Sequence, residues 1–239
     1  MKVINDLLGY ENLKIIQDTN FFSFSLDSVL LPNFFTLDKS VKKILDIGTG
    51  NAPIPLILSC HTDAKIYGVE IQKDLYDLAV ETIKINNLDK RITLINDDAN
   101  NLNTYFEPGF FDVILSNPPY FKIHAKSKMN EVPQKAIARH EIKLNLQQLL
   151  KIVYKFLKNN GKFAMVYRTE RITEVLSVMS EYKIEPKKIL FVFPKSQSSS
   201  NLFLVEGVKN ARPGIKSVDY IVVHDENGNY TSEVEQFFS

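Results

Sequence analysis

Apolar runs of strand length alternate with longer helical patterns along most of this chain, and that alternation limits the fold more than any other feature. Val41–Ile47, Lys65–Glu70, Arg91–Asn96 and Phe111–Ser116 read as strands, and helical patterns follow the first two at Pro53–Cys60 and Lys73–Asn86. In the second of these, Leu75, Leu78, Ala79, Thr82, Ile83 and Asn86 recur at spacings of three and four, which places them on one stripe. Strand, helix and strand in succession predict a parallel sheet with right-handed crossovers. A helix near Glu141–Leu157, a strand at Lys162–Tyr167, a helix near Glu170–Tyr182 and strands at Lys188–Phe193 and Asn201–Gly207 follow. Only Pro194 to Ser200 separates the last two strands, so they form a hairpin and one of them runs antiparallel. The expectation is an α/β fold with a seven-stranded, mostly parallel sheet.

A chain of 239 residues suits one large α/β domain. Hydrophobic residues at 44% and charged residues at 24% exclude disorder, collagen and coiled coil. We expect residues 1–40 to cover cofactor and substrate, 41–210 to form the main domain and 211–239 to be a tail. Cys60, the lone cysteine, ends the apolar run from Pro55 and is expected to be a buried structural thiol, with no disulfide possible within the chain. Met1–Asp6 lacks the features of a secretion signal, and no stretch reaches the roughly 18 apolar residues that span a bilayer. The expected location is the cytoplasm, and the expected state is a monomer.

The net charge of +1 conceals a division. Residues 1–121 carry 10 basic and 16 acidic side chains, whereas 122–216 carry 19 basic and 7 acidic. A basic block of that size suits a polyanion, whose phosphates release counterions when neutralised. A solvated face of lysines is the competing reading. The stretch 119–140 shows little periodicity and follows the fourth strand, so we read it as a substrate loop.

Leu45-Asp46-Ile47-Gly48-Thr49-Gly50-Asn51 closes the first strand and opens a helix, and its glycines permit a tight turn with a ligand close to the backbone. Pro53 stands where a dinucleotide fingerprint has its third glycine, which speaks against a pyrophosphate cradle. Asp46 would repel a phosphate but suits a ligand with an ammonium or sulfonium centre. Glu70 ends the second strand, where an acid accepts hydrogen bonds from ribose hydroxyls. Asp97 and Asp98 follow the third strand, where an acid can accept from an adenine amine or serve as a turn and capping residue.

Asn117-Pro118-Pro119-Tyr120 is the most specific sequence in the chain. Prolines lack N–H groups and leave neighbouring carbonyls free to face a cleft. The Asn117 amide oxygen and the Pro118 carbonyl can accept the two hydrogens of a planar NH₂, turning its lone pair toward an electrophilic methyl. Tyr120 offers a ring for stacking, worth roughly 1–3 kcal/mol per base. A turn after a strand is the plainer alternative.

Leu45–Gly50, Glu70, Asp98 and Asn117–Tyr120 together resemble the class I S-adenosylmethionine-dependent methyltransferases, in the branch that methylates planar nitrogens. Leu13–Gln17, Phe24–Leu31, Ala138–Glu141 and Asn201–Gly207 are similar to the bacterial family that methylates adenine N6 at position 37 of a valine tRNA. The resemblance runs from about Leu8 to Pro213. It implies a Rossmann-like fold, S-adenosylmethionine as cofactor and tRNA as partner. By that resemblance Asp27, Asp46, Gly48, Gly50, Glu70 and Ile71 hold the cofactor, with Asp98 at its adenine and Asn117 beside it. Asn117, Pro118, Pro119 and Tyr120 hold the target base. Asn51-Ala52-Pro53 departs from the small residues often found after the glycines. Lys122, Lys126, Lys128, Lys135 and Arg139 are the candidate phosphate contacts.

No nucleophile is required, and the four histidines show no metal-ligand spacing. Methylation of a protein glutamine amide or of guanine N2 uses the same planar nitrogen. A nucleic-acid-binding module without catalysis is the non-enzymatic alternative.

Overall fold

The computed structural model of the protein describes residues 1–19, 26–118 and 144–236. A hairpin of β1 (Lys2–Leu7) and β2 (Tyr10–Asp18) precedes helix α1 (Leu26–Phe34). Then come β3 (Lys43–Ile47), α2 (Pro53–His61), β4 (Lys65–Val69), α3 (Lys73–Ile85) and β5 (Ile92–Ile95). A 3-10 helix at Ala99–Thr104 leads to β6 (Phe111–Ser116). The chain continues through α4 (Leu146–Phe156), β7 (Leu157–Arg168), α5 (Ile172–Glu181), β8 (Ile184–Lys195), β9 (Leu202–Lys209), β10 (Ser217–His224) and α6 (Ser232–Glu235).

Among the described residues eight strands form the main sheet, in the order β10-β8-β9-β7-β6-β3-β4-β5. Only β9 runs antiparallel, to both β7 and β8, as the short loop before it requires. The eighth strand corrects the expected seven. It lies within residues 211–239, expected to be a tail, where β10 pairs in parallel with β8.

Successive residues of the central strands face opposite layers, as the pleat dictates. Ile44, Val113, Ala164 and Leu204 pack with apolar residues of α1, α2 and α3. Leu45, Ile114, Met165 and Phe203 pack with those of α4 and α5. A capping box starts α4: Asn145 Oδ1 accepts from Gln148 N, and Gln148 Oε1 accepts from Asn145 N, each at 2.9 Å.

Sheet order reverses between β3 and β6: the chain leaves β3 toward β4 and β5, then returns to β6 and β7. Parallel sheets bind ligands in the crevice at such a switch point, outside the carboxyl ends of the strands. The glycine loop and Asn117 are the two segments that border it.

The N-terminal hairpin closes over this architecture by specific bonds. Asn51 Nδ2 donates to Ile16 O at 2.9 Å, and Ile16 N donates to Thr82 Oγ1 of α3 at 3.1 Å. Asn86 exchanges bonds with both backbone groups of Lys14. The departure at Asn51 thus has a structural reason: its buried amide fastens β2 to the glycine loop.

Candidate active site

Gly48 and Gly50 adopt φ of 76° and 58°, left-handed values that a residue with a Cβ reaches only at a cost. Gly48 N and Thr49 N both donate to Val69 O, at 2.9 and 3.1 Å, which pins the loop to the end of β4. Glu70, 3% exposed, stands at the junction of three loops. Its Oε2 accepts from Gly50 N at 3.0 Å, and its Oε1 accepts from Gln72 N at 2.8 Å. Its backbone carbonyl accepts from Asn96 Nδ2 at 2.8 Å. An ionised carboxylate offers about four lone-pair directions, so these bonds orient Glu70 and leave acceptor capacity for a diol. Ile71 follows, half-buried.

Asp46 lies beneath the loop with no solvent exposure, and neither carboxylate oxygen has a hydrogen-bond partner. Burial pushes its pKa up to about 7; the charge of Glu70 adds to the rise, and the adjacent Thr49 hydroxyl opposes it. Thr49 Oγ1 is itself buried and unpartnered. Its side chain fits there because residue 68, opposite Asp46 in the β3–β4 register, is glycine. A Cβ at Gly68 would come within 3.0 Å of Thr49 and 2.9 Å of Leu94. A buried, unmatched negative group under a glycine loop favours a positively charged ligand above it and disfavours a phosphate.

The two acids after β5 divide their work. Asp97 accepts from Asp98 N, Asn101 Nδ2 and Tyr105 OH, and its carboxyl is held below the usual range first by the Asn101 bond. It is a turn-forming residue. Asp98 caps the 3-10 helix through Oδ1, which accepts from Asn100 N at 2.9 Å and Asn100 Nδ2 at 2.8 Å. Its Oδ2 has no partner among the described residues.

Ser116 Oγ donates to Ile47 O at 2.9 Å, which joins the ends of β6 and β3. Asn117 follows, half-buried, with Pro118 buried beside it. Asn117 Nδ2 donates to Ser28 Oγ of α1 at 3.2 Å. Asp27, in the first turn of α1, precedes that serine. Ser28 lies within the run Phe24–Leu31, but no local pattern in the sequence marks it as a partner of Asn117. Pro119 and Tyr120 lie outside the described residues, as do Lys122, Lys126, Lys128, Lys135 and Arg139 and the whole stretch 119–140.

Two expectations need correction. Cys60 is exposed, because it falls on the outer side at the end of α2. The basic block is also not simply an outward-facing surface. Lys162 Nζ donates to Thr36 O, Lys188 Nζ to Phe34 O, Lys187 Nζ to Gly214 O and Lys209 Nζ to Leu157 O, each at 2.8 Å. Lys158 pairs with Asp112. Five cations of that block therefore join parts of the fold to one another. Among the described residues no group of His, Cys, Asp and Glu is placed to hold a metal ion.

Switch-point crevice, glycine loop and strand-end acids are those of a methyltransferase, and a profile of the methyltransferase domain matches residues 38–212. The chain belongs to that family. An O-methyltransferase of Agrobacterium tumefaciens, described as predicted, superposes with a TM-score of 0.71 at 14% identity, covering 89% of this chain and 95% of that one. A geranyl diphosphate methyltransferase solved with its methyl donor gives 0.56 at 12% identity, over 76% of this chain and 84% of the other. Sequence narrows the membership further. The tRNA1(Val) (adenine(37)-N6)-methyltransferase of Bacteroides thetaiotaomicron is 28% identical over 238 residues, 98% of each chain. Its counterpart in Bacteroides fragilis is 30% identical over 169 residues, 71% of this chain and 70% of that one. The protein belongs to the family of tRNA1(Val) (adenine(37)-N6)-methyltransferases.

Proposed function

We propose that this protein methylates the N6 amine of adenine 37 in a valine tRNA, with S-adenosylmethionine as donor, acting as a cytoplasmic monomer. The donor supplies an electrophilic methyl on a sulfonium. Glu70 is oriented to accept from the ribose hydroxyls, and Asp98 Oδ2 from the adenine amine. Asp46 places negative charge beneath the loop that faces the sulfonium and ammonium centres, with Ile71 and Asp27 at the edges of the site.

One observation carries the reading: a half-buried amide at the end of the strand bordering β3 has an oxygen without a partner among the described residues. In this role Asn117 Oδ1 and the Pro118 carbonyl accept the two hydrogens of the target amine and leave its lone pair directed at the methyl. The N–C bond forms as the S–C bond breaks, and the amine then releases one proton to solvent. Catalysis rests on position and polarisation, with no covalent enzyme intermediate. The target base is extruded from its stack to reach the crevice, with the segment from Pro119 and Tyr120 through Arg139 contributing stacking and phosphate contacts.

Incubation of unmodified tRNA with enzyme and methyl-labelled donor, followed by nucleoside mass spectrometry, tests the proposal. Labelled N6-methyladenosine is the expected product, and label in a guanosine or in no nucleoside refutes it. Asn117→Ala should abolish turnover while calorimetry still detects donor binding.

A further inference from the structure

An amide side chain has two ends of nearly equal shape, and a hydroxyl can meet either of them, so the orientation is set by the partners at both ends together. For Asn117 the distinction governs catalysis, because Nδ2 turned to the substrate would present hydrogens to an amine that needs an acceptor. Asn117 Nδ2 is occupied by Ser28 Oγ, at 3.2 Å, and Oδ1 is free among the described residues. Ser28 is 6% exposed, so water competes little for this bond.

Helix α1 is held firmly enough to fix that hydroxyl. At its far end Lys188 Nζ donates to Phe34 O at 2.8 Å, and Lys162 Nζ donates to Thr36 O at 2.8 Å. Thr36 N donates to buried Glu206 Oε2 at 2.6 Å. Three charged side chains from β7, β8 and β9 thus clamp the last residue of the helix and the turn just after it. Along α1, Val29, Leu30, Leu31 and Phe34 are buried in the core. The clamp and the packed face leave the first turn little freedom to move away from β6.

We propose that Ser28 is a positioning residue for methyl transfer: its hydroxyl takes the amide nitrogen of Asn117 and so keeps the amide oxygen aimed at the substrate amine. The inference rests on the function proposed above. Ser28 touches neither donor nor base in this role and acts through Asn117.

The test uses the full-length enzyme with tRNA, comparing Ser28→Ala and Ser28→Thr with wild type. Ser28→Ala should lower kcat about tenfold, equivalent to ~1.4 kcal/mol. KM for tRNA and donor affinity by calorimetry should stay within about twofold. Ser28→Thr, which restores a hydroxyl, should recover most of kcat. Unchanged kcat in Ser28→Ala overturns the inference, and so does parallel loss of donor affinity or failure of threonine to rescue. An inactive wild-type enzyme would instead refute the proposed function, so the two failures are distinct.

Discussion

Asp46→Asn isolates the stability cost of a carboxyl buried beneath the glycine loop. The Asp46 carboxyl moves from 3.8 to about 7 on folding, because it is fully buried and has Glu70 nearby. Below about pH 4 the folded and unfolded chains both hold the proton, and the group contributes nothing to pH dependence. Between about 4 and 7 the unfolded chain has released the proton while the folded chain retains it, so stability falls as pH rises. Above about 7 both forms are ionised and the whole penalty stands. At about 1.4 kcal/mol per pH unit this amounts to about 4 kcal/mol, a large part of the 5–15 kcal/mol that typically separates folded from unfolded chains.

Asparagine keeps the shape and removes the titration. Urea unfolding of both proteins from pH 4 to 8.5 should give a difference that starts near zero and grows to a few kcal/mol in favour of the variant. Groups remote from Asp46 titrate alike in the two chains, so the difference reports Asp46 together with its charge coupling to Glu70. Donor affinity should move the opposite way, at least tenfold weaker in the variant at pH 8. Parallel stability curves, or a variant less stable at pH 8 than at pH 5 relative to wild type, would refute the account of Asp46 as a buried, unmatched charge.

Gly68→Ala should destabilise the chain by ~1–3 kcal/mol, since its methyl would press on Thr49 and Leu94; unfolding midpoints check this, and an unchanged midpoint would show that the loop gives way freely. Asn51→Ala removes a buried bond to Ile16 O and should cost ~1–3 kcal/mol. Hydrogen exchange should quicken in β2 before it does in β7, and uniform exchange would count against the tie. Exposed Cys60 should react with a thiol reagent in the native protein, more slowly than a free thiol because burial of its surroundings pushes its pKa up. Labelling only after denaturation would contradict its placement.

The central sheet was legible because its strands are buried on both sides and so read as short apolar runs bounded by turns. Hairpin β8–β9 was legible from loop length alone. Strand β2 was not read although Ile15 and Ile16 are buried; β1 and β10 were not read for a common reason. Lys2–Leu7 is mostly exposed, and so are Val218 to Tyr220 at the outer edge of the sheet. Each is ordered by pairing with a neighbour, β1 with β2 and β10 with β8, which no local pattern records. The strand-end positions of Asp46, Glu70, Asp98 and Asn117 followed from the strands that carry them. What the sequence left open was the division of labour between Asp97 and Asp98, which depends on how the 3-10 turn places Asn100, Asn101 and Tyr105.

Lysines expose a sharper limit of composition. A block of 19 cations against 7 anions suggests a field facing a polyanion. Lys162, Lys187, Lys188 and Lys209 instead donate to backbone carbonyls of the protein itself. Two of these, Lys162 and Lys188, fasten the end of α1 and the turn after it, and the other end of α1 reaches the amide of Asn117 through Ser28. Charge counted toward RNA binding therefore serves partly to hold the site's own geometry. Neutralising Lys188 should accordingly weaken the α1 clamp and lower turnover without reducing the salt dependence of tRNA binding, whereas a phosphate contact would lower that salt slope by about one for each cation lost.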